Sequence, residues 1–179
     1  MSTIIDGTTG ITTDGLIVGV EKAQLIKLET VQATTSGTSI NFTGIPSWAK
    51  KITVMFNEVS TNGTNHMLIQ LGAGSVEVTG YVSSGAALPN SATVSTVSST
   101  AGFLVFTTST TNTVTGQAIF TLVGSNTWIG SINGKNNTTT TINGGGVKTT
   151  SSTLDRIRIT TTTGTDTFDA GSVNIMYEG

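Results

Sequence analysis

Apolar and polar residues alternate at period two along much of this chain. In Ile52-Thr53-Val54-Met55-Phe56, Ile52, Val54 and Phe56 share one face, which predicts a strand with one side buried. The same pattern recurs in Met67-Leu68-Ile69-Gln70-Leu71, Val76-Glu77-Val78, Phe103-Leu104-Val105-Phe106 and Ala118 to Val123. Near the end come Asp155-Arg156-Ile157-Arg158-Ile159, with both arginines opposite the isoleucines, and Val173 to Tyr177. Turn signals separate these runs: Asn62-Gly63, Gly72-Ala73-Gly74, Asn112-Thr113, Gly124-Ser125-Asn126, Asn133-Gly134 and Asn143-Gly144-Gly145-Gly146. Asn-Gly and Gly-Gly pairs tolerate the positive φ of tight hairpins. Many short strands so spaced predict an all-β fold, an antiparallel β-sandwich or barrel.

The pattern is less regular upstream. Val20 to Glu29 is compatible with a helix, and Leu25 to Val31 equally with a strand. Residues 1 to about 20 scatter Ile4, Ile5, Ile11, Leu16 and Ile17 between turn residues. This predicts an extended N-terminal arm, residues 1–30, ahead of a β-sandwich domain, residues 31–179. An arm so rich in isoleucine needs cover from a partner or from its own domain. Those five side chains are therefore the candidate attachment residues.

Composition changes the picture of the surface. Charged residues are 10% of the 179, well below the roughly 25% usual in soluble domains, while Thr and Ser together make up about 30%. Hydroxyls replace ions on the exterior, and β-branched Thr suits the solvated face of a sheet. A net charge of −2 with no dense basic run supplies no reason to bind nucleic acid or anionic lipid. The lack of cysteine excludes disulfides and thiolate chemistry. No run approaches the roughly 18 apolar residues of a membrane-spanning helix, and the first residues do not read as a secretion signal.

Candidate chemistry is sparse. The single histidine, His66, follows an Asn-Gly turn and is read as a solvent-facing or capping residue. Asp166 and Asp169 sit in a Gly-rich loop but match no calcium loop in full, and are read as capping backbone amides in a turn. Asp155 beside Arg156 and Arg158 reads as an exposed charge set. A polysaccharide hydrolase would need paired carboxylates, and Glu58, Glu77, Asp155, Asp166 and Asp169 form no recognisable pair. Catalytic, metal and cofactor residues are accordingly expected to be none. Among the aromatics, Trp128 is expected in the core, while Trp48 and Tyr81 are the candidate glycan or interface contacts.

The run Gly37-Thr38-Ser39-Ile40-Asn41-Phe42-Thr43-Gly44-Ile45-Pro46-Ser47-Trp48-Ala49-Lys50-Lys51-Ile52-Thr53-Val54-Met55-Phe56 resembles a domain of tailed-bacteriophage virion proteins. So do Gln70-Leu71-Gly72, Thr79-Gly80-Tyr81 and the stretch from Leu154 through Asp166 to Ile175. The likeness covers roughly residues 30–179. It implies a jelly-roll-like β-sandwich, homotrimeric assembly and a place on the virion surface after assembly in the host cytoplasm. No repeat or heptad array provides a fibre shaft. The expectation is a non-enzymatic capsid decoration (cement) protein or short fibre contacting capsid or tail components through its arm. The alternative is a tail-fibre tip adhesin for host-surface glycans.

Overall fold

The computed structural model describes the backbone of residues 3–6 and 10–13, and residues 25–137 and 139–179 in full. The described residues form strands without a helix, and every strand pairing is antiparallel. The all-β expectation therefore stands. Strand β1 (Thr3–Asp6) pairs with β2 (Gly10–Thr13), Ile5 opposite Ile11. The side chains of Ile4, Ile5 and Ile11, and the whole of Leu16 and Ile17, lie outside the described residues, as do residues 20–24 of the expected helix.

The rest of the expected helix is strand β3 (Ile26–Leu28), which pairs with the last strand of the chain. Of the two readings open for Leu25 to Val31, the strand is the one observed. Leu25 and Gly179 exchange both backbone hydrogen bonds, at 3.2 and 3.0 Å, so the last residues of the expected arm run along a sheet edge. Strands β4 (Gln32–Ala33) and β5 (Ile40–Thr43) follow, then β6 (Lys51–Thr61), β7 (Met67–Ala73) and β8 (Ser75–Val76). Next come β9 (Tyr81–Pro89), β10 (Ser95–Ser99), β11 (Phe103–Val105), β12 (Val114–Gly124) and β13 (Thr127–Asn136). The chain closes with β14 (Thr140–Thr149), β15 (Arg156–Thr161) and β16 (Phe168–Glu178).

Nine strands form the large sheet in the order β10-β9-β14-β13-β12-β6-β16-β3, with β4 also on β16. Five form the smaller one, β11-β7-β15-β5 with β8 on β7. Buried residues of both sheets belong to one hydrophobic cluster. Register puts residues of neighbouring strands in rows that share a face. One inward row of the large sheet runs Phe120, Ile52, Tyr177, and the next Ile132, Ala118, Val54, Ile175. The small sheet answers with Phe103, Ile69, Ile159 and Ile40. Every one of these eleven side chains is buried.

Two expected turns prove to be strand interior. Asn133-Gly134 lies within β13, and Asn143-Gly144-Gly145-Gly146 within β14. At Gly134 and Gly146 a Cβ would run into the carbonyl oxygens of Thr115 and Val82 on neighbouring strands of the same sheet, and elsewhere the reason is the approach of the other sheet. A Cβ on Gly144 or Gly85 would stand 3.0 Å from the Leu104 carbonyl oxygen of β11, and one on Gly130 would stand 2.8 Å from the rings of Phe103 and Phe120. These glycines make room rather than turn the chain. The turn read at Gly124 to Asn126 is present: Ser125 and Asn126 have φ of 46° and 62°, the doubly left-handed pair of a type I′ hairpin.

Candidate functional site

The expected site residues divide between core and surface. Tyr81 is 1% exposed and offers no face to a sugar, which corrects its reading as a glycan contact. Its hydroxyl accepts the Leu71 amide at 2.7 Å and lies 3.1 and 2.9 Å from the carbonyl oxygens of Leu71 and Glu77. Burial pushes its pKa well above the ordinary tyrosine range. Packed on its ring, 5.2 Å from the centroid, is the Lys148 ammonium, which pairs with Glu77 at 2.6 Å. Burial alone would raise the Glu77 pKa, but hydrogen bonds from Lys148 and Ser151 outweigh it and hold the carboxylate below its ordinary value. This cluster ties the segment after β8 to the large sheet. Its role is structural.

Trp48 is half-buried against the core, its carbonyl and ring lying over Gly179. It covers the end of the large sheet where Leu25 meets Gly179. Trp128 is buried as expected.

At the opposite end of the strands, His66 is half-buried rather than solvent-facing. Its Nδ1 accepts the Thr107 amide at 3.2 Å, its ring packs 4.6 Å from Phe106, and burial lowers its pKa. Asp166 is also buried, with its carboxylate accepting the Asn65 backbone amide at 3.0 Å and the Asn65 side-chain amide at 2.7 Å. A Cβ on Gly63 would overlap that carboxylate at 2.1 Å, so the Asn62-Gly63 turn wraps around it. Asp169 instead accepts the Ser60 hydroxyl. The two aspartates serve different partners, and among the described residues no group of three metal-ligating side chains occurs.

Most other carboxylates are occupied. Glu29, Glu178 and Asp155 pair with Lys27, Lys51 and Arg156. Arg158 Nε donates to Gln70 Oε1 at 2.8 Å, and Gln70 Nε2 in turn donates to the Ala101 carbonyl at 2.8 Å. This pair borders a concavity of about 280 Å³ on the outer side of the small sheet.

The most site-like feature is a cleft of about 270 Å³ at the His66 end, where strands β9, β10, β13 and β14 meet the loop after β11. Asn136, the last residue of β13, lies in the inward row between Val114 and Thr140 and is 4% exposed. Its Nδ2 donates to the Phe106 carbonyl at 3.4 Å, and its Oδ1 is buried without a hydrogen-bond partner. Asn137 follows in the left-handed region, φ 59°. Its Nδ2 donates to Asn112 Oδ1 at 3.0 Å and its Oδ1 accepts the Thr113 amide at 3.0 Å. No ionisable side chain is among those described that line the cleft. It offers neutral donors and acceptors beside an apolar wall of Ala87, Pro89 and Phe106.

Sequence reasoning missed this cleft. The available signal was Asn112 at a turn together with the Asn136-Asn137 pair, which mattered only once the fold had brought Asn112 and Asn137, 25 positions apart, into contact. Comparison with protein families, with curated proteins and with solved structures finds no match.

Proposed function

We propose that this chain is a non-enzymatic structural protein of a tailed-phage virion surface, a trimeric capsid decoration protein or short fibre held by its N-terminal arm. On this reading the two sheets form a jelly-roll-like sandwich, and the arm meets capsid or tail components. The supporting observation is the strip Leu25, Ile26, Leu28 and Val31, which directly follows residues 1–24 and is 49%, 60%, 60% and 57% exposed. Four apolar side chains in seven residues at a sheet edge are a liability in a lone molecule and an asset in one that docks. The sparse charge and hydroxyl-rich surface fit a component that need not steer charged ligands.

Deletion of residues 1–20 tests the reading. The shortened chain should keep its β-sheet circular dichroism and lose occupancy on purified particles. Native mass spectrometry of the full chain should show a trimer. Full occupancy by the folded deletion variant, or a monomer under native conditions, overturns the proposal.

A further inference from the structure

We propose that the cleft built around Asn112, Asn136 and Asn137 binds one neutral sugar residue. The inference concerns the free chain and holds whether or not that chain is carried on a virion.

The chemistry of the lining selects the ligand class. A pyranose presents hydroxyls that donate and accept, and C–H faces that need an apolar surface. The cleft supplies both, with amides from the three asparagines and hydroxyls from Thr93, Ser95 and Thr108. Phe106 forms its wall, with His66 packed against the ring. The absence of ionisable groups among its described lining residues disfavours a phosphate, a carboxylate or an amine, each of which would lose its hydration without a counter-charge. A volume of about 270 Å³ suits a single ring, being just under the range that larger ligands occupy.

Two features point to a ligand rather than to a surface dimple. Asn136 Oδ1 is removed from water yet has no donor, an arrangement native folds avoid unless something else supplies one. That oxygen touches no solvent in the unliganded cleft, so a sugar hydroxyl becomes its donor once the Asn136 amide turns toward the opening. The amides of Asn112 and Asn137 are locked to each other and to the Thr113 backbone, so their orientation is set before any ligand arrives. The position is also apt. From Trp128 to Asn136, β13 advances eight residues, about 26 Å at about 3.3 Å each, which separates the cleft from the end where Leu25 joins Gly179.

The test titrates the full chain, labelled with nitrogen-15, with glucose, galactose, mannose, N-acetylglucosamine and glucuronate. Binding of at least one neutral sugar should move the side-chain amide resonances of Asn112, Asn136 and Asn137. Asn137→Ala should weaken that binding by about tenfold, the loss of a hydrogen bond that positions the ligand. Thr93→Val, at an exposed position on the rim, should weaken it as well and serves if Asn137→Ala fails to fold. Arg158→Ala, on the small sheet, should leave it unchanged. The proposal is overturned if no neutral sugar moves the asparagine signals, if glucuronate alone binds, or if folded Asn137→Ala and Thr93→Val bind as the parent does.

Discussion

The two halves of the large sheet fill the same core by opposite means. In β6, β12 and β16 the inward positions other than Gly116 carry their own bulk: Ile52, Val54 and Phe56, then Val114, Ala118 and Phe120, then Val173, Ile175 and Tyr177, all buried. In β9, β13 and β14 the corresponding positions include Ser83 and Gly85, Gly130 and Gly134, and Gly144 and Gly146. Volume there comes from across the core, where Phe103 lies over Gly130 and the Leu104 backbone sits against Gly85 and Gly144. Close packing requires that every gap be filled, but it leaves open which layer fills it. An inward face can therefore be read from its own strand only where that strand supplies the atoms.

That contrast can be broken from either side. Phe120→Ala removes bulk and should cost about 3–5 kcal/mol in urea unfolding. Gly130→Val adds bulk where a Cβ already meets two aromatic rings, and should cost about 3 kcal/mol. If Gly130→Val is tolerated, the glycine half is loosely packed and the contrast fails.

A smaller effect sharpens it. Tyr81 is the one large inward side chain of β9, and its hydroxyl accepts the amide of Leu71 in the other sheet. Tyr81→Phe should lose about 1–3 kcal/mol, because that buried amide is left without an acceptor. Equal stability of the two proteins would remove the hydroxyl from the account.

The smallest effects are pH-dependent, one at each end of the strands. His66 is lowered from 6.5 by burial, so the unfolded chain takes up its proton first and stability falls as pH drops below 6.5 toward the folded value. Glu77 is lowered from 4.5, so its contribution is complete above that value and is lost as pH falls through the folded one. Unfolding free energy measured against pH should therefore decline in two successive steps on acidification. His66→Gln should abolish the upper step alone, and Glu77→Gln should shrink the lower, to which Asp155, lowered by its hydrogen bond from Arg156, also contributes. A profile unchanged by either substitution would refute the assignment.

The legible part of the fold follows the same division. β6, β7, β12, β15 and β16 announce themselves because alternation of large apolar and polar residues is a local property. β14 was hidden by Asn143-Gly144-Gly145-Gly146, whose inward glycines look like a turn to any reading that cannot see the opposing strand. The candidate site was less legible still. Tyr81 looked like a surface aromatic, yet Leu71, Glu77 and Lys148 bury it. Asn112 and Asn137 come together only through the β12–β13 hairpin and the loop that precedes it.

By itself, the amino-acid sequence determined an all-β chain with a neutral, hydroxyl-rich exterior and little titratable chemistry, since period-two alternation and composition need no partner to be read. Tertiary structure alone decided which glycines are packing spaces, that Tyr81 is core and where neutral polar groups converge. Each of these depends on atoms brought near from distant parts of the chain, and a Cβ clash or an unpaired oxygen exists only once both neighbours are in place.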